Sequence, residues 1–291
     1  MTIAICAIVP EGIILGADST ASMSDTVSFH YFQNNQKLFE IGESSTLGML
    51  TWGAVSFGDV SFRSLIAQLG DQLASKPAAS VEEVARRWVE LAWPEYTRIF
   101  ENDLQKYQLL ETNVDDGGKK SRRKKTARTR EETEFYQLQR KLSAGFCIAG
   151  YVPSDRKPFA FKVDFTPDLR TPPTPESALR FHCWGVKDFY ERLFNGFDKK
   201  IRNGILKHGG WQDSEKNLDS ILSIGKHSYP LELPLRDAID LVHFCIYSTI
   251  KLLKFSYLNQ VCGGPIELAV ISTDRKFRWV KHKEWDSALD D

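Results

Sequence analysis

The sequence has no apolar run approaching the roughly 18 residues a membrane-crossing helix needs, which excludes a spanning segment of that kind. Its apolar start lacks a basic flank and is broken by Pro10 and Glu11, so it does not read as a secretory signal either. Cysteine is sparse: Cys6, Cys147, Cys183, Cys245 and Cys262 are scattered, form no CxxC pair and sit mostly in apolar surroundings. Buried, reduced thiols of a cytosolic protein are the natural reading, rather than a disulfide framework. The six histidines do not cluster with them, so no metal or other cofactor is expected. Net charge is also lacking, with 38 basic residues against 38 acidic. That balance conceals a split, because eight of the twelve residues from Lys119 to Arg130 are basic and none is acidic. With 291 residues, 42% of them hydrophobic, the chain can bury a large core.

The informative residue is Thr2. It opens a strand-like run to Val9, and if Met1 is removed it carries a hydroxyl nucleophile and a free α-amine on one residue, an arrangement used for covalent acyl transfer. A strand-forming threonine at a processed terminus is the plainer reading of that position alone. Pro10-Glu11-Gly12 then signals a turn, and Ile13 to Ala17 reads as the return strand of a hairpin, which brings Asp18 back beside Thr2. After a polar crossing, Gln36 to Ile41 reads as a third strand with Lys37 at its mouth. Thr46 to Trp52 reads as a fourth, running into Gly53 and a helix expected from near Ser56.

This order of residues resembles a proteasome β-type subunit of the N-terminal-nucleophile hydrolase superfamily. The matching positions are Thr2, Gly12, Asp18, Lys37 and Gly53. The resemblance implies an α+β fold, a four-layer αββα sandwich with helical insertions, in which Thr2 is the nucleophile. Asp18 would hold Lys37 charged and oriented, and the backbone N–H of Gly53, opening the first helix, would receive the oxyanion. An α-amine with a reference pKa of about 7.7 is a competent base near neutrality. Positions matching the substrate pocket are Ala21, Ser22, Thr51 and Val55, a modest and mostly apolar set. Departures lie further on: the turn Gly185-Val186-Lys187-Asp188 has no serine, and the accessory positions where the family places aspartate and serine carry Asn259 and Cys262.

Helical spacing places Phe62, Leu65, Ile66, Leu69 and Leu73 on one face. Ser80 can cap a second helix that Pro94 is expected to kink, and a last helix is expected from Leu235 to about Tyr257. One domain is expected over 1–291, with two additions: a helical hairpin with a basic tip over about 103–141, and a second insert over about 195–234. The function implied is cleavage of peptide or other amide bonds by a cytoplasmic, homo-oligomeric ring, with any ATPase partner left open. Two readings compete: a catalytically silent structural ring subunit, and an interaction protein whose basic loop at 119–130 meets nucleic acid or an acidic partner. No aromatic residue interrupts that loop, which argues against base stacking. Nothing but the initiator methionine precedes Thr2, so activity would need no propeptide, whereas an α-type subunit would carry an N-terminal helix first.

Overall fold

Alternating β-branched and aliphatic residues at the start of the chain form a hairpin of β1 (Ile3–Val9) and β2 (Gly12–Ala17), both almost wholly buried. The computed structural model describes residues 2–24, 29–120, 129–178, 180–208, 211–227 and 232–283, with 22–24, 29 and 112–120 described through their backbone. The polar crossing after Asp18 contains a two-stranded ribbon, β3 (Ala21–Ser24) with β4 (Phe29–Phe32), that the sequence reading passed over. The expected third and fourth strands are β5 (Leu38–Glu40), shorter than its apolar run, and β6 (Leu47–Gly53).

The chain does not turn helical at Gly53 or Ser56. Gly53 is the last residue of β6, and a small hairpin of β7 (Ser56–Phe57) and β8 (Val60–Ser61) intervenes before α1 (Phe62–Ser75), capped by the Ser61 hydroxyl accepting from Ser64 N–H. Ser56 and Ser61 favour extended and capping conformations, and helical periodicity starts only with Phe62. Ser80 caps α2 (Val81–Ile99), which runs through Pro94, and α3 (Glu101–Lys120) follows after Phe100. Thr129 and Glu132 make a reciprocal capping box on α4 (Arg130–Leu142), which packs along α3. Residues 121–128 of the basic run lie outside the described residues.

Next come β9 (Ala144–Gly150), β10 (Phe159–Phe165), β11 (Glu176–Ser177) and β12 (Phe181–Gly185). The region expected as a second insert holds short helices: α5 (Asp188–Asn195), which starts earlier, α6 (Lys199–Lys207) and α7 (Glu215–Leu222). The long α8 (Leu235–Phe255), β13 (Glu267–Ser272) and an unforeseen edge strand, β14 (Phe277–Lys281), complete the chain.

The strands form two five-stranded sheets, ordered β12-β1-β2-β13-β14 and β11-β10-β9-β6-β5. One buried cluster joins them, with Ala4, Leu15 and Ala269 of the first sheet meeting Leu38, Leu50 and Cys147 of the second. A second cluster packs the other side of the β9-containing sheet on α1 and α2 through Trp88, Tyr96 and Phe146; a third packs the β1-containing sheet on α8 through Ile5, Val242 and Ile246. Gly16 permits that last approach, since a Cβ there would lie 2.7 Å from Val242 and 2.8 Å from Ile246. No helix among the described residues is long and apolar enough to cross a membrane.

Candidate active site

Antiparallel pairing brings one set of strand ends together. Ala4 pairs with Ala17 and Ile3 with Gly185, so Thr2, Asp18 and the turn after Gly185 converge at one end of the first sheet. Asp18 is fully buried and serves as the hub. Its Oδ1 accepts from Ile3 N–H at 3.0 Å and from Lys37 Nζ at 2.7 Å. Its Oδ2 accepts from Thr20 N–H at 3.2 Å and Gly263 N–H at 3.0 Å. The Lys37 ammonium, nearly as buried, also donates to the Thr20 carbonyl at 2.6 Å. A carboxylate with three backbone donors and an ammonium is fully satisfied, which is what allows both charges to stay buried.

Thr2 is 4% exposed. Its carbonyl accepts from Val186 N–H at 2.7 Å, and its neighbour Ile3 donates to the carboxylate oxygen that holds Lys37. The turn stays close because Gly185 adopts φ 82°: a Cβ there would lie 1.8 Å from the Thr2 carbonyl oxygen. The missing serine of this turn is thus accompanied by direct backbone contact with Thr2.

Gly53 ends a strand of the other sheet and does not open a helix. Thr51 N–H donates to the Lys37 carbonyl at 2.9 Å, and strand alternation puts the Gly53 N–H on the same edge, beyond Lys37. Ala54 N–H turns the opposite way, to the Ser143 carbonyl at 2.9 Å. Gly53 has φ 84° and is exposed, whereas a Cβ would come within 2.4 Å of the Ser143 carbonyl oxygen.

The remaining expected positions divide. Ala21 and Thr51 are buried and Val55 is half-buried; the Ser22 side chain lies outside the described residues. Cys262 is buried among apolar side chains, and its loop reaches the site through the next residue, Gly263, whose carbonyl accepts from Ser19 N–H at 3.0 Å. Burial, and then the nearby Asp18 carboxylate, push the Cys262 thiol well above its usual range, so it is a neutral group here. Asn259 is exposed, and its backbone carbonyl accepts from Val261 N–H at 2.9 Å.

Two features escaped the sequence reading. Trp52 and Trp184, each immediately before one of the positive-φ glycines, stack across the two sheets at 4.6 Å with planes 9° apart. The repeated Trp-Gly at strand ends was the available signal. The other is Glu267, a fully buried carboxylate opening β13 in register with Ala17. Its only sign was an acidic residue at the head of an apolar run. No group of three metal-ligating side chains occurs among the described residues.

No protein-family description matches the sequence, and neither does any curated protein. Among solved structures the chain is similar to an Anbu (Gly-1) mutant from Hyphomicrobium sp. strain MC1, at 13% identity and a TM-score of 0.47, covering 100% of this chain and 95% of that one. It is also similar to Anbu (ancestral beta-subunit) from Yersinia bercovieri, at 12% identity and a TM-score of 0.49, covering 99% of this chain and 90% of that one.

Proposed function

We propose that the chain is a threonine-type N-terminal-nucleophile hydrolase with a four-layer αββα sandwich, cleaving peptide or related amide bonds after removal of Met1. The observation that carries this reading is the buried Lys37–Asp18 ion pair, anchored through Asp18 to the backbone N–H next to Thr2. The Thr2 hydroxyl adds to the substrate carbonyl while its own α-amine takes the proton. Lys37 stabilises the developing alkoxide, and Asp18 keeps the ammonium in place. The resulting oxyanion meets the Gly53 N–H. Collapse breaks the C–N bond, the leaving amine takes the proton from the α-amine, and an ester remains on Thr2. Water, deprotonated by the same amine, hydrolyses the ester and restores the hydroxyl. Ala21, Thr51 and Val55 would line the substrate pocket, with Ser22 beside them, and a homo-oligomeric ring is the assembly we expect.

A threonine-directed electrophile tests the proposal. Intact mass should show loss of Met1 and a single adduct mapping to Thr2, and Thr2→Ala should abolish both adduct and peptide hydrolysis. Retained Met1, or hydrolysis that persists in Thr2→Ala, would overturn it. A second reading, a catalytically silent subunit, is favoured by the low exposure of Thr2 and by the neutral thiol at Cys262. In that case the mature protein takes no label although Met1 is absent.

A further inference from the structure

The mechanism leaves one buried charged cluster unused. The Glu267 carboxylate has His282 Nδ1 at 2.8 Å and Lys283 Nζ at 3.6 Å, with no aligned hydrogen-bond donor on either oxygen among the described residues. Burial raises its pKa, opposed by Lys283, by His282 and by the backbone N–H of Lys37. Lys283, with its side chain 8% exposed, donates to the Asn34 carbonyl at 2.9 Å. Its pKa is lowered by burial first, then by Arg63 and Lys37, while Glu267 opposes the shift.

These contacts converge on the segment that carries Lys37. On one side Asn35 N–H donates to the Ser19 carbonyl at 2.9 Å, and Gly264 fits so closely that a Cβ would lie 2.2 Å from the Gln33 carbonyl oxygen. On the other side Arg63 of α1 reaches the Gln36 side chain, and Lys283, beside Glu267, holds the Asn34 carbonyl. A buried ion pair is a weak source of net stability, so what it fixes in space is the better account of its presence.

We infer that Glu267 and Lys283 form a latch, carried by the β13–β14 hairpin, that grips residues 34–37 and thereby positions the Lys37 ammonium on Asp18. The inference rests on the reading of Lys37 as part of a Thr2-centred hydrolase. Neither latch residue is catalytic; both act through the backbone of the Lys37 segment. The groups facing Glu267 are His282 and Lys283 beyond β14 and Lys37 before β5, with Arg63 of α1 acting on Lys283. Its β2 partner, Ala17, contributes no charge.

Glu267→Gln and Lys283→Met test the latch in the full-length, Met1-free protein. The maximal rate of Thr2 labelling should fall about 10- to 100-fold while the half-saturating electrophile concentration stays put, as expected when a group is displaced by about an ångström. Glu267→Asp should recover part of that rate. Global stability should fall only modestly in Glu267→Gln, because Lys283 keeps its bond to the Asn34 carbonyl. Amide exchange at residues 34–38 should accelerate in both variants, with α8 protected as in the wild type. Wild-type labelling kinetics in both variants, or amide exchange that accelerates in α8 as much as at residues 34–38, would overturn the latch. If the mature wild type takes no label at Thr2, the hydrolase reading fails, and exchange alone decides: unchanged rates at 34–38 overturn the latch.

Discussion

Asp18 concentrates the local chemistry, because its two oxygens take three backbone N–H groups and one ammonium from four separate stretches of chain. Removing only the cation would leave an uncompensated buried charge. Lys37→Met is therefore expected to destabilise the fold by about 3 to 5 kcal/mol, read from urea unfolding. Lys37→Arg keeps the charge but not the geometry, since a planar guanidinium cannot place one nitrogen 2.7 Å from Asp18 Oδ1 and 2.6 Å from the Thr20 carbonyl in the same compact manner. Glu267 behaves in the opposite sense. Burial raises its pKa from the ordinary 4.5, so between that value and its raised one the folded chain holds a proton that the unfolded chain has released. Its contribution to stability is complete below 4.5 and is lost as pH rises through the raised value. Comparing unfolding free energies across this window, Glu267→Gln should show a flatter pH dependence than the wild type. An identical slope would mean that Glu267 is not the group responsible.

At the level of elements, local signals mark what the sequence discloses. Ser80 followed by Glu82 and Glu83 announced α2, and its hydroxyl does accept from Glu83 N–H at 3.1 Å. Ser80→Ala should cost about 1 kcal/mol, a drop in melting temperature of about 2 to 4 °C; no shift would show that α2 is held by packing of Trp88 and Tyr96 alone. The hairpin β1–β2 and the long strands β6, β9 and β13 were equally legible, since each is a bounded apolar run. Other elements carry no such pattern. The two-residue strands β7 and β8 have no period to detect, and β14 buries only Phe277 because it lies on a sheet edge. For the same reason the sequence does not separate Gly53 from a helix start: its φ of 84° goes with Ser143, the cap of α4 just before β9 and 90 positions away, not with its neighbours. Thr2, Asp18 and Lys37 could be picked out by order and type. Glu267 and Lys283 could not, because what makes them notable is proximity to the Lys37 segment, which only the β13–β14 hairpin creates.

For the molecule as a whole, the candidate site lies where corresponding ends of both sheets meet. Gly185 and Glu267 lie in the first sheet, with Thr2 and Asp18 just beyond the ends of its strands; Gly53 lies in the second, with Lys37 just before β5. The candidate site therefore spans both sheets, and near it Trp52 of one forms a stack with Trp184 of the other. His182 extends it, stacked on Trp184 at 4.5 Å. The floor beneath Trp52 is Gly145, where a Cβ would lie 2.0 Å from the indole, so the ring can reach its partner only because that position has no side chain. Gly145→Ala should push Trp52 off Trp184, destabilise the protein by about 1 to 3 kcal/mol as overpacking does, and change the near-ultraviolet circular dichroism that a stacked indole pair produces. It should also slow Thr2 labelling without touching any residue of the Asp18–Lys37 pair, because Gly53 follows Trp52 directly and moves with it. A variant that loses the dichroism but labels at the wild-type rate would show that the register of the two sheets at the site is fixed elsewhere, by Leu38, Leu50 and Cys147 in the shared core.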